Sequence, residues 1–209
     1  MTPSLIGSAI AGVVPAAGAS RRMGRTKALL QLNGRSFLER VVNTLRQGGC
    51  DPVYVVLSES DGEVADEARR LGASVLVNHD PGEGPITSLR IALEALDDAV
   101  DGIAYLPVDH ALVGSDTVSS LLQAAATYAA DLTLPVYGPK RGHPAIFRRT
   151  LFAELLEPTL EGGARTIVHR HLGSAHLMES MDRGVIADID TPELYLQAQE
   201  AVGSEGVTP

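Results

Sequence analysis

Between Ile10 and Lys27 the chain gathers small residues and cations in a pattern suited to a polyphosphate. The apolar run Ile10-Ala11-Gly12-Val13-Val14 breaks into Pro15-Ala16-Ala17-Gly18-Ala19-Ser20-Arg21-Arg22-Met23-Gly24, and Arg25 and Lys27 follow. A short apolar run ended by Pro and Gly reads as a buried strand of a parallel sheet. The small residues beyond it let backbone N–H groups approach a ligand, while guanidinium and ammonium groups match phosphate oxygens. The spacing is neither a dinucleotide fingerprint, which needs a third glycine, nor a P-loop, which needs Gly-Lys-Ser/Thr after a four-residue gap.

Three further groups carry chemistry. Asp109 follows directly on the apolar run Gly102 to Pro107. A carboxylate at a strand end is placed to hold Mg2+, which takes one or two carboxylates together with phosphate oxygens. His110, next to it, points to the opposite face of an extended backbone and reads as structural. Asp188 and Asp190 alternate, so in an extended run both face one side; Asp190 and Thr191 also suit the cap of a helix. The third group is Gly138-Pro139-Lys140-Arg141-Gly142-His143-Pro144, where His143 stands beside two cations in a loop with the chemistry of an anion site.

The elements that must position these residues alternate. Strands are expected at Pro52–Leu57, Ser74–Val77, Gly102–Pro107 and Asp131–Val136. Helices are expected at Phe37–Gln47 with Ser36 as cap, Asp61–Leu71 with Asp61 as cap, Ile86–Leu96 and Thr117–Tyr128. Such alternation means a mainly parallel sheet with helices on both faces. The pattern then loosens. Ala145–Phe147 is a short strand, Leu151–Leu156 and Ala164–His171 are helices, and Ala175–Met178 and Gly184–Ala187 are edge or antiparallel strands. Thr191 caps a last helix with Pro192 at its first position. In an open α/β sheet ligands bind beyond the carboxyl ends of the strands, where the first loop, Asn78–Ser88, Asp109 and Asp188–Asp190 all fall.

From Val13 to Leu194 these motifs, in order, resemble the nucleotidyltransferases that act on molybdenum cofactor. Their signature Leu-Ala-Ala-Gly-x-Ser-x-Arg-Met-Gly-x-x-Lys matches at every fixed position but the first, where Pro15 stands. Leu106-Pro107-Val108-Asp109-His110-Ala111-Leu112 resembles the family's metal-binding segment, with Ala111 where Pro is common. Asn78 to Leu89 resembles its Asn-x-x-x-x-x-Gly-x-x-x-Ser-Leu stretch through Gly84, Ser88 and Leu89. Asp188-Ile189-Asp190-Thr191-Pro192-Glu193 resembles its closing segment. Gly142-His143-Pro144 and Gly163-Ala164-Arg165 resemble the cytidylyltransferase branch, although Glu161-Gly162 replaces that branch's Gly-Asp.

The resemblance implies a single Rossmann-like domain of GT-A type over residues 1–209. About 8–135 would bind nucleotide, about 136–201 the acceptor, and 202–209 would fray. It implies transfer of a nucleoside monophosphate, CMP from CTP being favoured, to the terminal phosphate of a molybdopterin-type acceptor, with release of pyrophosphate. Ala16, Ala17, Gly18, Ala19, Ser20, Arg22, Met23, Gly24, Lys27, Asn78, Gly84 and Ser88 would bind nucleotide. Arg22, Lys27 and Asp109 would be catalytic, Asp109 with Asp190 or Asp188 would hold Mg2+, and Lys140, Arg141, Gly142, His143, Pro144 and Arg165 would bind the acceptor. GTP, another phosphorylated acceptor, or a non-catalytic regulator or chaperone of a molybdoenzyme remain open.

Composition agrees with such an enzyme. The formal net charge of −9 argues against a nucleic-acid or anionic-membrane surface, which needs a basic footprint. The one cysteine, Cys50, allows no internal disulfide and fits a reducing cytoplasm. No apolar stretch reaches membrane-spanning length, and the apolar start lacks the basic leader of a signal peptide.

Overall fold

The computed structural model describes residues 9–18, 26–59 and 62–205. Ala19, Ser20, Arg21, Arg22, Met23, Gly24 and Arg25 of the first motif lie outside the described residues, as does Asp61.

The chain runs through β1 (Ala9–Pro15), β2 (Gln31–Leu32), β3 (Arg35–Ser36), α1 (Phe37–Gln47), β4 (Val53–Leu57), α2 (Glu63–Arg70), β5 (Ser74–Val77), α3 (Pro85–Glu94) and β6 (Val100–Tyr105). It continues through α4 (Ser115–Tyr128), β7 (Leu132–Tyr137), β8 (Lys140–Arg141), β9 (Ala145–Arg148), α5 (Phe152–Leu155), α6 (Ala164–His171), β10 (His176–Glu179) and α7 (Pro192–Glu205). The main sheet has the order β10-β7-β9-β6-β1-β4-β5, and β8 adds to β7 as a hairpin. Pairs β6/β1, β1/β4, β4/β5 and β10/β7 are parallel, while β9 runs antiparallel to both β6 and β7. The loops after β1, β5 and β6 therefore leave the sheet at one edge.

Every central strand is buried on both faces, which is why β1 reads as an unbroken apolar run. Val14 joins the core under α1 and α4, with Phe37, Leu38, Val41, Leu45, Val118 and Leu121. Ala11 and Val13 join the opposite core under α3, α5 and α6, with Leu89, Ile103, Phe147, Leu155 and Ile167. Helix α1 starts where its cap does: the Ser36 hydroxyl accepts from the Glu39 N–H at 2.9 Å. Its apolar positions recur every three or four residues, and all of Phe37, Leu38, Val41, Val42 and Leu45 are buried.

The stretch expected as an edge or antiparallel strand at 175–178 is the edge strand β10, shifted by one residue and parallel to β7. One expectation changes. The stretch 184–187 is not a strand: Arg183–Ile186 forms a 3-10 turn, held by the Asp182 carboxylate accepting from the Gly184 N–H at 2.7 Å. A local Asx bond of this kind competes with sheet pairing and here prevails. Among the described residues no helix is long and apolar enough to cross a membrane.

Candidate active site

A cleft of about 650 Å³ opens at the carboxyl ends of β1 and β6. Its walls are Ala16, Ala17 and Gly18 after β1, Gly84, Pro85 and Ser88 at the head of α3, Pro107 to His110 after β6, and Asp188 and Asp190 before α7. Lys27, on a 3-10 turn spanning Lys27–Leu29, enters from the side. Its Nζ donates to Asp109 Oδ2 at 3.1 Å and to Asp190 Oδ1. Three residues separated by 82 and 163 positions in the chain thus meet at one ammonium.

The acids hold their places through the backbone. The Ile189 N–H donates to the Asp109 carbonyl at 3.1 Å, and the Ile189 side chain is buried, which turns Asp188 and Asp190 together into the cleft. Burial draws the Lys27 pKa down, but the carboxylates of Asp190 and Asp109 outweigh it and the net shift is upward, so the ammonium stays charged. Two carboxylates that converge on one cation suit Mg2+, which completes its shell with phosphate oxygens and water. Among the described residues no cluster of three or more His, Cys, Asp or Glu forms an all-protein metal cage. Asp109 and Asp190 therefore fit a metal shared with a phosphate ligand.

A second cavity, of about 440 Å³, adjoins the first. Lys140, Arg141, Gly142 and His143 line it together with Val185 and Ile186, and His110 and Asp188 border both cavities. The His143 and His110 rings stand 4.6 Å apart, and His143 Nδ1 lies 3.4 Å from the Tyr105 carbonyl. Burial, then the neighbouring His110, pulls His143 down to about 4, so it is neutral near pH 7. Burial also lowers His110, against the upward pull of Asp109 and Asp188. Among the described residues His110 Nδ1 is buried without a hydrogen-bond partner.

The placement of His110 corrects the sequence reading. The chain turns after Pro107, with the His110 N–H donating to the Pro107 carbonyl at 3.0 Å, so Asp109 and His110 do not fall on opposite faces. Asn78 is buried and braces the 78–88 loop. Its Nδ2 donates to Thr87 Oγ1 at 2.8 Å and Ser88 Oγ at 2.9 Å, and its Oδ1 accepts from the Asp80 N–H at 3.0 Å. Gly84 and Ser88 reach the cleft wall; Asn78 is not on it. Pro144 is buried behind His143, and Arg165 is exposed in the first turn of α6, off both cavities. Tyr105 lines the cleft without any motif to mark it, and Pro107, from the Leu106–Leu112 segment, lines it beside Asp109. Another hollow of about 800 Å³, bordered by Thr26, Gln31, Gly34, Glu63 and Tyr195, gathers no acid–cation pair among the described residues.

Residues 12–175 match the MobA-like NTP transferase domain family. A nicotine blue oxidoreductase from Paenarthrobacter nicotinovorans is 30% identical over 194 residues, covering 88% of this chain and 93% of that one. A probable molybdenum cofactor guanylyltransferase from Mycobacterium avium is 32% identical over 161 residues, covering 76% and 78%. The crystal structure of Rv0371c from Mycobacterium tuberculosis in complex with manganese superposes with a TM-score of 0.74 at 27% identity, over 93% of this chain and 99% of that one. The architecture is the GT-A-like fold of nucleotidyltransferases of known structure.

Proposed function

The chain belongs to the MobA-like family of nucleotidyltransferases, and from that premise we propose that it transfers CMP from CTP to the terminal phosphate of a molybdopterin-type cofactor. An acceptor phosphate oxygen attacks the α-phosphorus, the bond from that phosphorus to the bridging oxygen of the β-phosphate breaks, and pyrophosphate leaves with the electron pair. The acceptor is already an anion, so no protein nucleophile is required, and the protein's part is alignment and charge neutralisation.

The observation that carries this reading is the meeting of Lys27, Asp109 and Asp190 in a cleft walled by Ala16, Ala17 and Gly18. The backbone after β1 cradles the triphosphate, and Lys27 neutralises charge gathering on the leaving pyrophosphate, a role Arg22 shares. Gly84 and Ser88 face the nucleoside. Asp109 and Asp190 would hold Mg2+, which when bound supplies Lewis-acid stabilisation of the phosphate oxygens. The second cavity takes the acceptor, its phosphate drawn by Lys140 and Arg141 past the shared wall of His110 and Asp188. Residues from about 8 to 135 thus serve the nucleotide and those from about 136 to 201 the acceptor. The product would pass to a molybdoenzyme.

The molybdenum cofactor guanylyltransferases among the relatives favour a second reading, GTP as donor at the same site. Pyrophosphate release, measured with CTP, GTP, ATP and UTP in the presence and absence of molybdopterin, tests both. Release with CTP that requires the acceptor supports the first, and release with GTP the second. Nucleotide binding without release makes the chain a regulator. Turnover of nicotine blue without release of pyrophosphate would place it with the relative of that name. Lys27→Ala and Asp109→Ala each lower release by about 100-fold or more while the fold survives.

A further inference from the structure

The turn Arg183–Ile186 stands between the acid pair and the second cavity, and one carboxylate holds it from behind. Asp182 Oδ1 accepts from the Gly184 N–H at 2.7 Å. Its Oδ2 accepts from the Gly114 N–H at 2.9 Å and from the Thr117 hydroxyl at 2.8 Å. Helix α4 begins on Gly114, which has no side chain to cap it, so Asp182 satisfies that end from 68 residues away.

The turn is wedged on its other sides by backbone against backbone. A Cβ on Gly184 would collide with the Leu112 carbonyl, and one on Gly142 with the Val185 carbonyl. The Val185 carbonyl also accepts from the His143 N–H at 2.8 Å. Contacts of this kind cannot be relieved by a change of rotamer, so displacement of Gly184 passes directly to Gly142 and His143. The acid pair downstream keeps its own tether, from the Ile189 N–H to the Asp109 carbonyl.

We propose that Asp182 is a positioning residue for the acceptor half of the site. It lines neither cavity, yet through Gly184 and Val185 it fixes where His143 and the adjacent Arg141 stand relative to Asp188. This rests on the assignment of the second cavity to the acceptor.

Asp182→Asn in the full chain tests it. The amide keeps the shape but has one oxygen, so a nitrogen must face either Gly184 or the Gly114–Thr117 pair, donor against donor. Loss of a hydrogen bond to a charged group is worth about tenfold in an equilibrium. Amide hydrogen exchange is therefore expected to quicken about tenfold at Gly184 and His143 and to stay unchanged at Ile189 and in β1. In pyrophosphate release the KM for molybdopterin rises about tenfold, while the KM for nucleotide moves by less than about twofold. Thr117→Val removes one of the three bonds and shifts the same readouts by less. Unchanged exchange at Gly184 and His143 overturns the proposal. So does faster exchange with both KM values rising together or neither rising, because the turn would then be merely structural. If the wild-type chain releases no pyrophosphate with molybdopterin, the acceptor assignment fails, and the exchange pattern alone decides whether Asp182 sets the turn.

Discussion

Lys27 sits where two carboxylates converge, so a divalent cation must compete with its ammonium for the same oxygens. Replacing Lys27 with Met keeps most of the stem and removes the charge. Lys27 is 14% exposed, Asp109 23% and Asp190 38%, so the cluster is shielded but not dry. At 3.1 Å and an effective dielectric of about 20, Coulomb's law gives about 5 kcal/mol for the Lys27–Asp109 pair. Hydration of a cleft-facing ammonium cancels much of that, and a net of about 1.5–3 kcal/mol, the worth of a charged hydrogen bond, remains. In Lys27→Met a metal no longer displaces that contact, so Mn2+ should bind the nucleotide-free protein about 10- to 100-fold more tightly. Catalysis should move the other way, with pyrophosphate release falling by about 100-fold or more. The assay is Mn2+ titration followed by electron paramagnetic resonance, with Asp109→Asn as the control that abolishes the tightened site. Unchanged or weaker Mn2+ binding in Lys27→Met would refute the competition, and tightening that persists in the Lys27→Met, Asp109→Asn double variant would move the metal elsewhere.

Removing the cap of α1 with Ser36→Ala should cost about 1 kcal/mol in urea unfolding without changing nucleotide affinity, since Ser36 is remote from both cavities. Phe147→Ala empties a fully buried position on β9, between β6 and β7, and should lower stability by about 3–5 kcal/mol by the same measurement. The folded pKa of His143, about 4, lies below the ordinary 6.5, so as pH falls the unfolded chain takes up the proton first. Its contribution is intact above about pH 6.5 and is lost toward pH 4, by up to about 3 kcal/mol. Urea unfolding of His143→Asn should show a flatter acid limb than the parent, and parallel limbs would refute the burial of a neutral imidazole.

Where the signal is local, the sequence and the structure agree to the residue. Helix α1 runs over the expected Phe37–Gln47, because its cap, its apolar period and its closing glycines all lie within the helix or beside it. The same holds for Ser74–Val77 and Ala164–His171. The two misreadings share a cause. Gly184-Val185-Ile186-Ala187 has the composition of a short strand, and only Asp182 two residues before Gly184 signals an Asx turn. The expectation that His110 faces opposite to Asp109 assumes that the backbone stays extended beyond β6, whereas it turns at Pro107. In each case a one- or two-residue turn redirects a side chain, and period-two reasoning has no means of registering it.

The acid site shows how far such reasoning reaches. Asp109 is legible because it follows a parallel strand, and the edge at which parallel strands end is the place for ligands whatever the rest of the chain does. Asp188 and Asp190 follow no strand at all. Their alternation says that they share a face but not which face, and two backbone features supply the answer. The Ile189–Asp109 hydrogen bond sets the register of one segment against the other, and the buried Ile189 side chain forces the carboxylates outward into the cleft. Both features depend on a turn that the sequence pattern presents as a strand. The part of the proposed site that rests on the motif after β1 is therefore written locally, whereas the part that brings the acids and the 138–144 loop to it is fixed by packing between segments more than 40 residues apart, such as Gly142 against Val185.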